Sequence, residues 1–175
     1  MSEIVLERLE HGHVQDLYNV IEENRNYLRK WINCLDSIAS ADDISLFVES
    51  AIIKHSPTGL PYFAIKHSGK TCGVIAFNNL DFSNKIGTIS YWLAKSATGK
   101  GIATKAVERL VGIGFEELKL NKIQIACAAS NCKSRAIPER LGFTYEATLR
   151  QSEWLDSKFV DHLIYTILAT EYFSD

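Results

Sequence analysis

Gly99 and Gly101 bracket Lys100 within Ile89 to Ala106, read as ISYWLAKSATGKGIATKA. Glycines let backbone N–H groups approach an anion closely, and a helix opening behind them adds partial positive charge. Upstream, ISYWL is aromatic and alternating, as in a strand. Downstream, Ile102, Ala103, Ala106, Val107 and Leu110 recur at three- and four-residue spacing and predict a helix. A strand feeding a glycine loop that opens a helix is a phosphate-binding device. Lys95, Lys100, Lys105, Lys133 and Arg135 add positive charge around it, suited to phosphates or else forming a solvated face.

Three phosphate devices compete for this loop. A nucleotide-binding P-loop needs G-x-x-x-x-G-K-[ST]; here Gly101 follows Lys100, and Ala94 holds the first glycine position, which excludes it. A dinucleotide fingerprint needs a third glycine where Thr104 stands, and the strands upstream look antiparallel. The third device is the pyrophosphate loop of an acyl-coenzyme A enzyme.

On that reading the chain resembles the GNAT superfamily of acetyltransferases, whose loop follows [RQ]-x-x-G-x-[GA]. Thr98-Gly99-Lys100-Gly101-Ile102-Ala103 matches at Gly101 and Ala103 and departs at Thr98. A second segment, Asn131 to Phe143 (NCKSRAIPERLGF), resembles the family's N-x-x-[SA]-x-x-x-x-[EQ]-[KR]-[LI]-G-F. It follows a short buried strand, as in the family. The resemblance spans essentially the whole chain. It is nearest to the branch typified by RimL and RimJ, which acetylate N-termini of ribosomal proteins. Leu28-Arg29-Lys30-Trp31 is similar to that branch's L-x-x-W, and Arg150-Gln151-Ser152-Glu153 to its R-x-x-[ED].

The resemblance implies acetyl transfer from acetyl-CoA, a co-substrate, to a primary amine by direct attack, with no metal. It assigns Thr98, Gly99, Lys100, Gly101, Ile102, Ala103 and Thr104 to the pyrophosphate. Trp92 and Leu93 are placed beside the pantetheine arm, where the sheet splays and a backbone donor can polarise the thioester carbonyl. Read alone, Tyr91 and Trp92 are equally core aromatics. Asn131 is expected to bond the pantetheine, or else to cap a helix. Many family members carry a general-acid tyrosine seven residues after that asparagine; here the position is Pro138, which has no proton to give. In the RimL-like branch the acid is the serine three residues on, Ser134, which suits hydrogen bonding to the sulfur better than full protonation and could instead cap the helix. Glu153 is the expected general base, directly or through water, against a solvent-facing glutamate. His162 is the alternative base by residue type, with a structural role beside Asp161 as its competing reading. Trp31 is expected at the substrate.

The amine is expected to be a protein N-terminal α-amine, or alternatively that of a polyamine, aminoglycoside or amino acid. A different class, a coenzyme A-binding sensor or scaffold without catalysis, fits less well because both Ser134 and Glu153 are present.

These residues need elements to hold them. The pattern predicts a strand at Ile4–Leu9, helix from Val14 to Trp31 with a weak middle at Asn24-Arg25-Asn26, and a helix capped by Ser40 burying Ile44, Phe47, Val48, Ala51 and Ile52 until Pro57 and Gly59 stop it. Strands follow at Leu60–Lys66, Thr71–Asn78 and Ile86–Leu93, joined by turns at His67–Lys70 and Asp81–Asn84. A helix from the glycine loop to Leu118, a buried strand at Ile123–Ala128, a helix ending at Leu141-Gly142, and strands near Phe143–Arg150 and Phe159–Ala169 complete the order. Pro138 predicts a helix that starts near Ser134 or Arg135, or that bends. The order indicates one α+β domain, residues 1–175; the resemblance makes it the GNAT fold, a mixed, mostly antiparallel sheet flanked by helices.

A net charge of −2 gives no support for a nucleic-acid or membrane-surface role, and no apolar run reaches the roughly 18 residues of a membrane helix. The N-terminal residues lack a signal-peptide core, and the four scattered cysteines suit a reducing cytoplasm. Edge strands in the C-terminal half leave room for a homodimer or larger homo-oligomer.

Overall fold

Side chains that alternate along the strands give one sheet two different cores. The computed structural model describes residues 3–53 and 61–174. Its strands are β1 (Ile4–Arg8), β2 (Tyr62–His67), β3 (Lys70–Asp81), β4 (Ile86–Leu93), β5 (Lys122–Ala128), β6 (Thr144–Leu155) and β7 (Lys158–Leu168). They hydrogen-bond in the order β1-β2-β3-β4-β5-β7-β6, and only β4 and β5 run parallel. The mixed, mostly antiparallel sheet expected from the sequence is the one found.

Helices α1 (Val14–Leu28) and α2 (Ala41–Ile53) cover one face, packing Leu17, Ile21, Ile44 and Val48 against Ala64 and Val74. Helices α3 (Ile102–Gly112) and α4 (Cys132–Arg140) cover the other, where Phe77, Ile89, Leu110, Ile123 and Ile137 meet. On β2, Phe63 and Ile65 enter this second core while Ala64 between them enters the first. Each fully buried Leu, Ile, Val or Phe side chain among these contributes about 1.5–3 kcal/mol. A short α5 (Ala169–Tyr172) ends the described chain. No described helix is long and apolar enough to cross a membrane.

The local signals that set the ends are visible. Ser40 and Asp43 cap α2 reciprocally, with Ser40 N donating to Asp43 Oδ2 at 2.9 Å. The backbone donors of Ala39 and Ser40, with the Ser40 hydroxyl, hold the Asp43 carboxyl below its usual range. Ser68 and Gly69 turn β2 into β3 with both φ angles positive, 53° and 76°, the two-residue hairpin geometry.

Four expectations need correction. Helix α1 runs unbroken through Asn24–Asn26, the stretch expected to be its weak middle, and ends at Leu28. Arg25 reaches the carbonyls of Leu35 (2.9 Å) and Ile38 (2.6 Å), and Asn24 binds Val20 O (2.8 Å) and accepts from Lys95 N (2.9 Å). Phe47 is exposed rather than buried with the α2 stripe, and stacks edge-on against Tyr62. Regular α3 stops at Gly112 and continues as a π turn over Ile113–Glu117. Strand β6 runs on past Arg150 to Leu155. Pro57 and Gly59, the expected stop of α2, lie outside the described residues.

Candidate active site

The parallel ladder between β4 and β5 ends at Ile89↔Ile125, although β4 continues to Leu93 and β5 to Ala128. Beyond that point β4 stays bonded to β3, with Val74↔Trp92 and Gly73↔Leu93, while β5 stays bonded to β7 through Ala128↔His162. The two strands therefore part, and a cleft of about 1050 Å3 opens between them. Trp92 and Leu93 line it on one side, Ala126, Cys127 and Ala128 on the other. The splayed strands inferred from the resemblance are present at the expected residues.

The glycine loop forms one end. Gly99 and Gly101 have φ of 75° and 74°, and a Cβ on either would meet nothing within 4 Å. Conformation, not space, demands glycine at both. No side chain caps α3. The first helical bond from this end runs from Lys105 N to Gly101 O at 3.1 Å, so the amides of Ile102, Ala103 and Thr104 precede the helical ladder. Thr98, Gly99, Gly101, Ile102, Ala103 and Thr104 all line the cleft; Lys100 does not and is exposed. Uncapped amides with positive-φ glycines are a cradle for phosphate oxygens. The Thr98 hydroxyl donates to Lys95 O at 2.8 Å, so its proton is already engaged by the loop itself.

The surrounding cations divide. Lys105 and Lys133 line the cleft, whereas Lys95 and Lys100 do not. Arg135 is turned away, with Nη1 on Ala129 O (3.2 Å) and Nε on the Tyr165 hydroxyl (3.3 Å), both on the β7 side. Arg140, which sequence reasoning did not single out, lines the cleft instead and donates to Thr104 Oγ1 at 2.8 Å. Its place in E-R-L-G-F was the available signal.

Helix α4 starts at Cys132, two residues before the earliest start predicted, and runs through Pro138. Asn131 is its N-cap, its side chain accepting from Ser134 N at 3.2 Å. Asn131 therefore caps α4 and also lines the cleft. The hydroxyl of Ser134, also in the lining, is not the cap. It lies 3.1 Å from the Tyr91 hydroxyl.

At the other end, Glu153 Oε2 lies 2.8 Å from His162 Nε2, so the two candidate bases are partners. Their side chains are 25% and 18% exposed and both line the cleft, which rules out a freely solvated glutamate. A bulge in β6 brings them together. Register jumps from Leu149↔His162 to Glu153↔Val160, Gln151 takes φ 49°, and Gln151 N donates to Asp161 Oδ1 at 2.8 Å. Trp31 lines the same cleft with Tyr27, Phe47 and Tyr62; Phe47 was expected in the α2 core stripe instead, and Tyr62 had no signal in the sequence. Cys127 also lines the cleft; burial pushes its thiol up to about 11. No group of three His, Cys, Asp or Glu among the described residues could hold a metal ion.

Uncapped helix amides behind two glycines, a cleft through a parted sheet and a carboxylate–imidazole pair in its wall suit an enzyme that moves a group from a phosphorylated carrier. The chain belongs to the GNAT acetyltransferase family: the family profile described as acetyltransferase (GNAT) domain matches residues 3–144. It is 34% identical to YdaF of Bacillus subtilis (strain 168), over 97% of this chain and 93% of that one. It is 30% identical to the ribosomal-protein-serine acetyltransferase of Escherichia coli (strain K12), over 88% and 86% of the two chains. Among solved structures it superposes on the microcin C7 self-immunity acetyltransferase MccE in complex with acetyl-CoA and AMP, with TM-score 0.90, 30% identity and coverage of 95% and 92%. RimL, a ribosomal α-N-protein acetyltransferase in complex with coenzyme A, shares the fold at TM-score 0.91 and 24% identity, with coverage of 94% and 93%.

Proposed function

We propose that this N-acetyltransferase uses acetyl-CoA to acetylate the N-terminal α-amine of a protein, with ribosomal proteins as the substrate class. The carrying observation is the charge of the cleft. Among the described lining residues the carboxylates are Glu108, on α3 behind the glycine loop, and Glu153. A polyamine or aminoglycoside would bring further ammonium groups, with only Glu108 besides Glu153 among the described lining residues to meet them. A peptide N-terminus brings one amine flanked by neutral amides, which suits Glu153, the side-chain amides of Asn33 and Asn78, and aromatic walls. The similarity to the Escherichia coli ribosomal-protein-serine acetyltransferase supports the same reading.

The amides of Ile102 to Thr104 and the glycine loop would hold the pyrophosphate. Trp92 and Leu93 would flank the pantetheine, and Asn131 would bond it. Bound acetyl-CoA supplies a thioester, and the amine attacks its carbonyl carbon as the C–N bond forms and the C–S bond breaks. Glu153 receives the ammonium proton. With Glu153 as acceptor, His162 Nε2 donates to one carboxylate oxygen and leaves the other for the amine. The Ser134 hydroxyl would donate to the departing sulfur. The raised pKa of Cys127 keeps that thiol protonated near neutral pH, which supports direct transfer over a cysteine-bound acetyl group. An α-amine, with an unperturbed pKa near 8, also deprotonates more readily than a lysine near 10.4.

The test is a transfer assay on peptides with free N-termini, serine first among them, against spermidine, aminoglycosides and free amino acids. Peptide α-amines should exceed the small amines in kcat/KM by at least about tenfold. Preference for a small amine would overturn the substrate reading. Tight acetyl-CoA binding with no turnover on either panel would overturn the assigned chemistry.

A further inference from the structure

Pro138 lies inside α4, where a proline removes the N–H that position 138 would give to the carbonyl four residues earlier. That carbonyl belongs to Ser134. Its donor comes from elsewhere: the Tyr91 hydroxyl, on β4, donates to Ser134 O at 3.0 Å. The same hydroxyl is 3.1 Å from Ser134 Oγ. We propose that Tyr91 is a positioning residue for Ser134, supplying the hydrogen bond that Pro138 removes from α4 and setting where the serine proton points.

Proton counting gives the phenol two arrangements. A backbone carbonyl only accepts, so while Tyr91 donates to Ser134 O, the serine proton can turn toward the phenol oxygen and away from the cleft. When Tyr91 donates to Ser134 Oγ instead, the serine proton is released toward the cleft. The two contacts differ by only 0.1 Å, so the phenol serves either acceptor with little movement. Negative charge developing on a sulfur in the cleft favours the second arrangement. No proton leaves the phenol; only its acceptor changes. Burial pushes Tyr91 well above the usual tyrosine range, which keeps it a donor throughout. The catalytic half of this proposal rests on Ser134 serving the sulfur; the structural half does not.

A double-mutant cycle separates the halves. Tyr91→Phe should lower Tm by about 3–6 °C, because a carbonyl inside the helix loses its donor. In a Pro138→Ala background the restored N–H should cut that loss to below about 2 °C. Equal losses in both backgrounds would overturn the link to Pro138. If Tyr91→Phe yields no folded protein, adding Pro138→Ala should rescue it, and failure to rescue overturns the same link. For activity, Tyr91→Phe should lower kcat about tenfold with KM for acetyl-CoA within about twofold of wild type, and add under about twofold in a Ser134→Ala background. An undiminished loss there would overturn the positioning role. Full kcat in Ser134→Ala itself would sink the serine assignment and leave the Tm cycle to judge the structural link.

Discussion

Glu153 and His162 are joined by a 2.8 Å hydrogen bond although their strands are not in simple register at that point. The bulge at Arg150–Ser152 makes the contact, and Asp161 fixes the bulge by accepting from Gln151 N at 2.8 Å. The acid, the imidazole and the carboxylate that shapes their strand thus come from two neighbouring strands at one end of the cleft.

If Glu153 takes the ammonium proton, Glu153→Gln keeps the shape and loses the base. Its kcat should fall by about 10²–10⁴ while acetyl-CoA affinity stays within about threefold. His162→Gln should cost less, about tenfold, because the carboxylate remains and only its orientation loosens. Steady-state kinetics with titration of acetyl-CoA binding checks both; a larger loss from His162→Gln would reverse the two roles.

Asp161 should matter through the bulge. Asp161→Ala leaves Gln151 N without its acceptor while Gln151 remains at positive φ, so Glu153 loses its fixed aim. The expected result is a kcat drop of about tenfold with little change in KM for acetyl-CoA. A rise in that KM with unchanged kcat would place Asp161 on the cofactor side instead.

Much of this arrangement was legible from residue types because local rules set it. Strand β4 begins and ends at the residues its alternation indicates, Ser40 caps α2, and the glycines of the loop take the positive φ that only glycine adopts cheaply. What was not legible depends on partners distant in sequence. Helix α4 passes through Pro138 because Tyr91 replaces the missing donor, and α1 survives Asn24–Asn26 because Arg25 finds carbonyls beyond the helix. The outward turn of Arg135 follows from Tyr165 and Ala129, which no local pattern announces. Glu153 was identifiable as a candidate base, but its pairing with His162 required the bulge.

Gly101 sits at φ 74° immediately before the uncapped amides of α3. A side chain there has room, so Gly101→Ala should cost only the left-handed strain, about 1–2 kcal/mol. The backbone should relieve it by re-aiming the amides, raising KM for acetyl-CoA about tenfold while kcat at saturation holds. Arg140→Ala, which removes a cation and a bond to Thr104 Oγ1, should raise the same KM by about threefold, and more at low ionic strength than at high. Unchanged KM in both variants would move the phosphates elsewhere.

Cys127 carries the prediction on pH. Its thiol lines the cleft and burial raises it to about 11, so the neutral form is the one the fold favours. Only the thiolate reacts with iodoacetamide, and the thiolate fraction grows tenfold per pH unit until the pH reaches the pKa. Alkylation of Cys127 should therefore be slow at pH 7 and rise about tenfold for each unit up to about pH 10, while exposed Cys132 and Cys34 react first. Acetyl-CoA filling the cleft should protect Cys127 and leave Cys132 unaffected, which peptide mapping by mass spectrometry reads directly. The sign also applies to stability: a thiol raised in the folded state favours folding below its ordinary pKa near 9, and that contribution is lost as pH climbs toward 11. Cys127→Ala should retain activity within about threefold, because direct transfer asks nothing of the sulfur. Loss of activity in that variant together with an acetylated Cys127 in the wild type would establish a covalent route and displace the direct one.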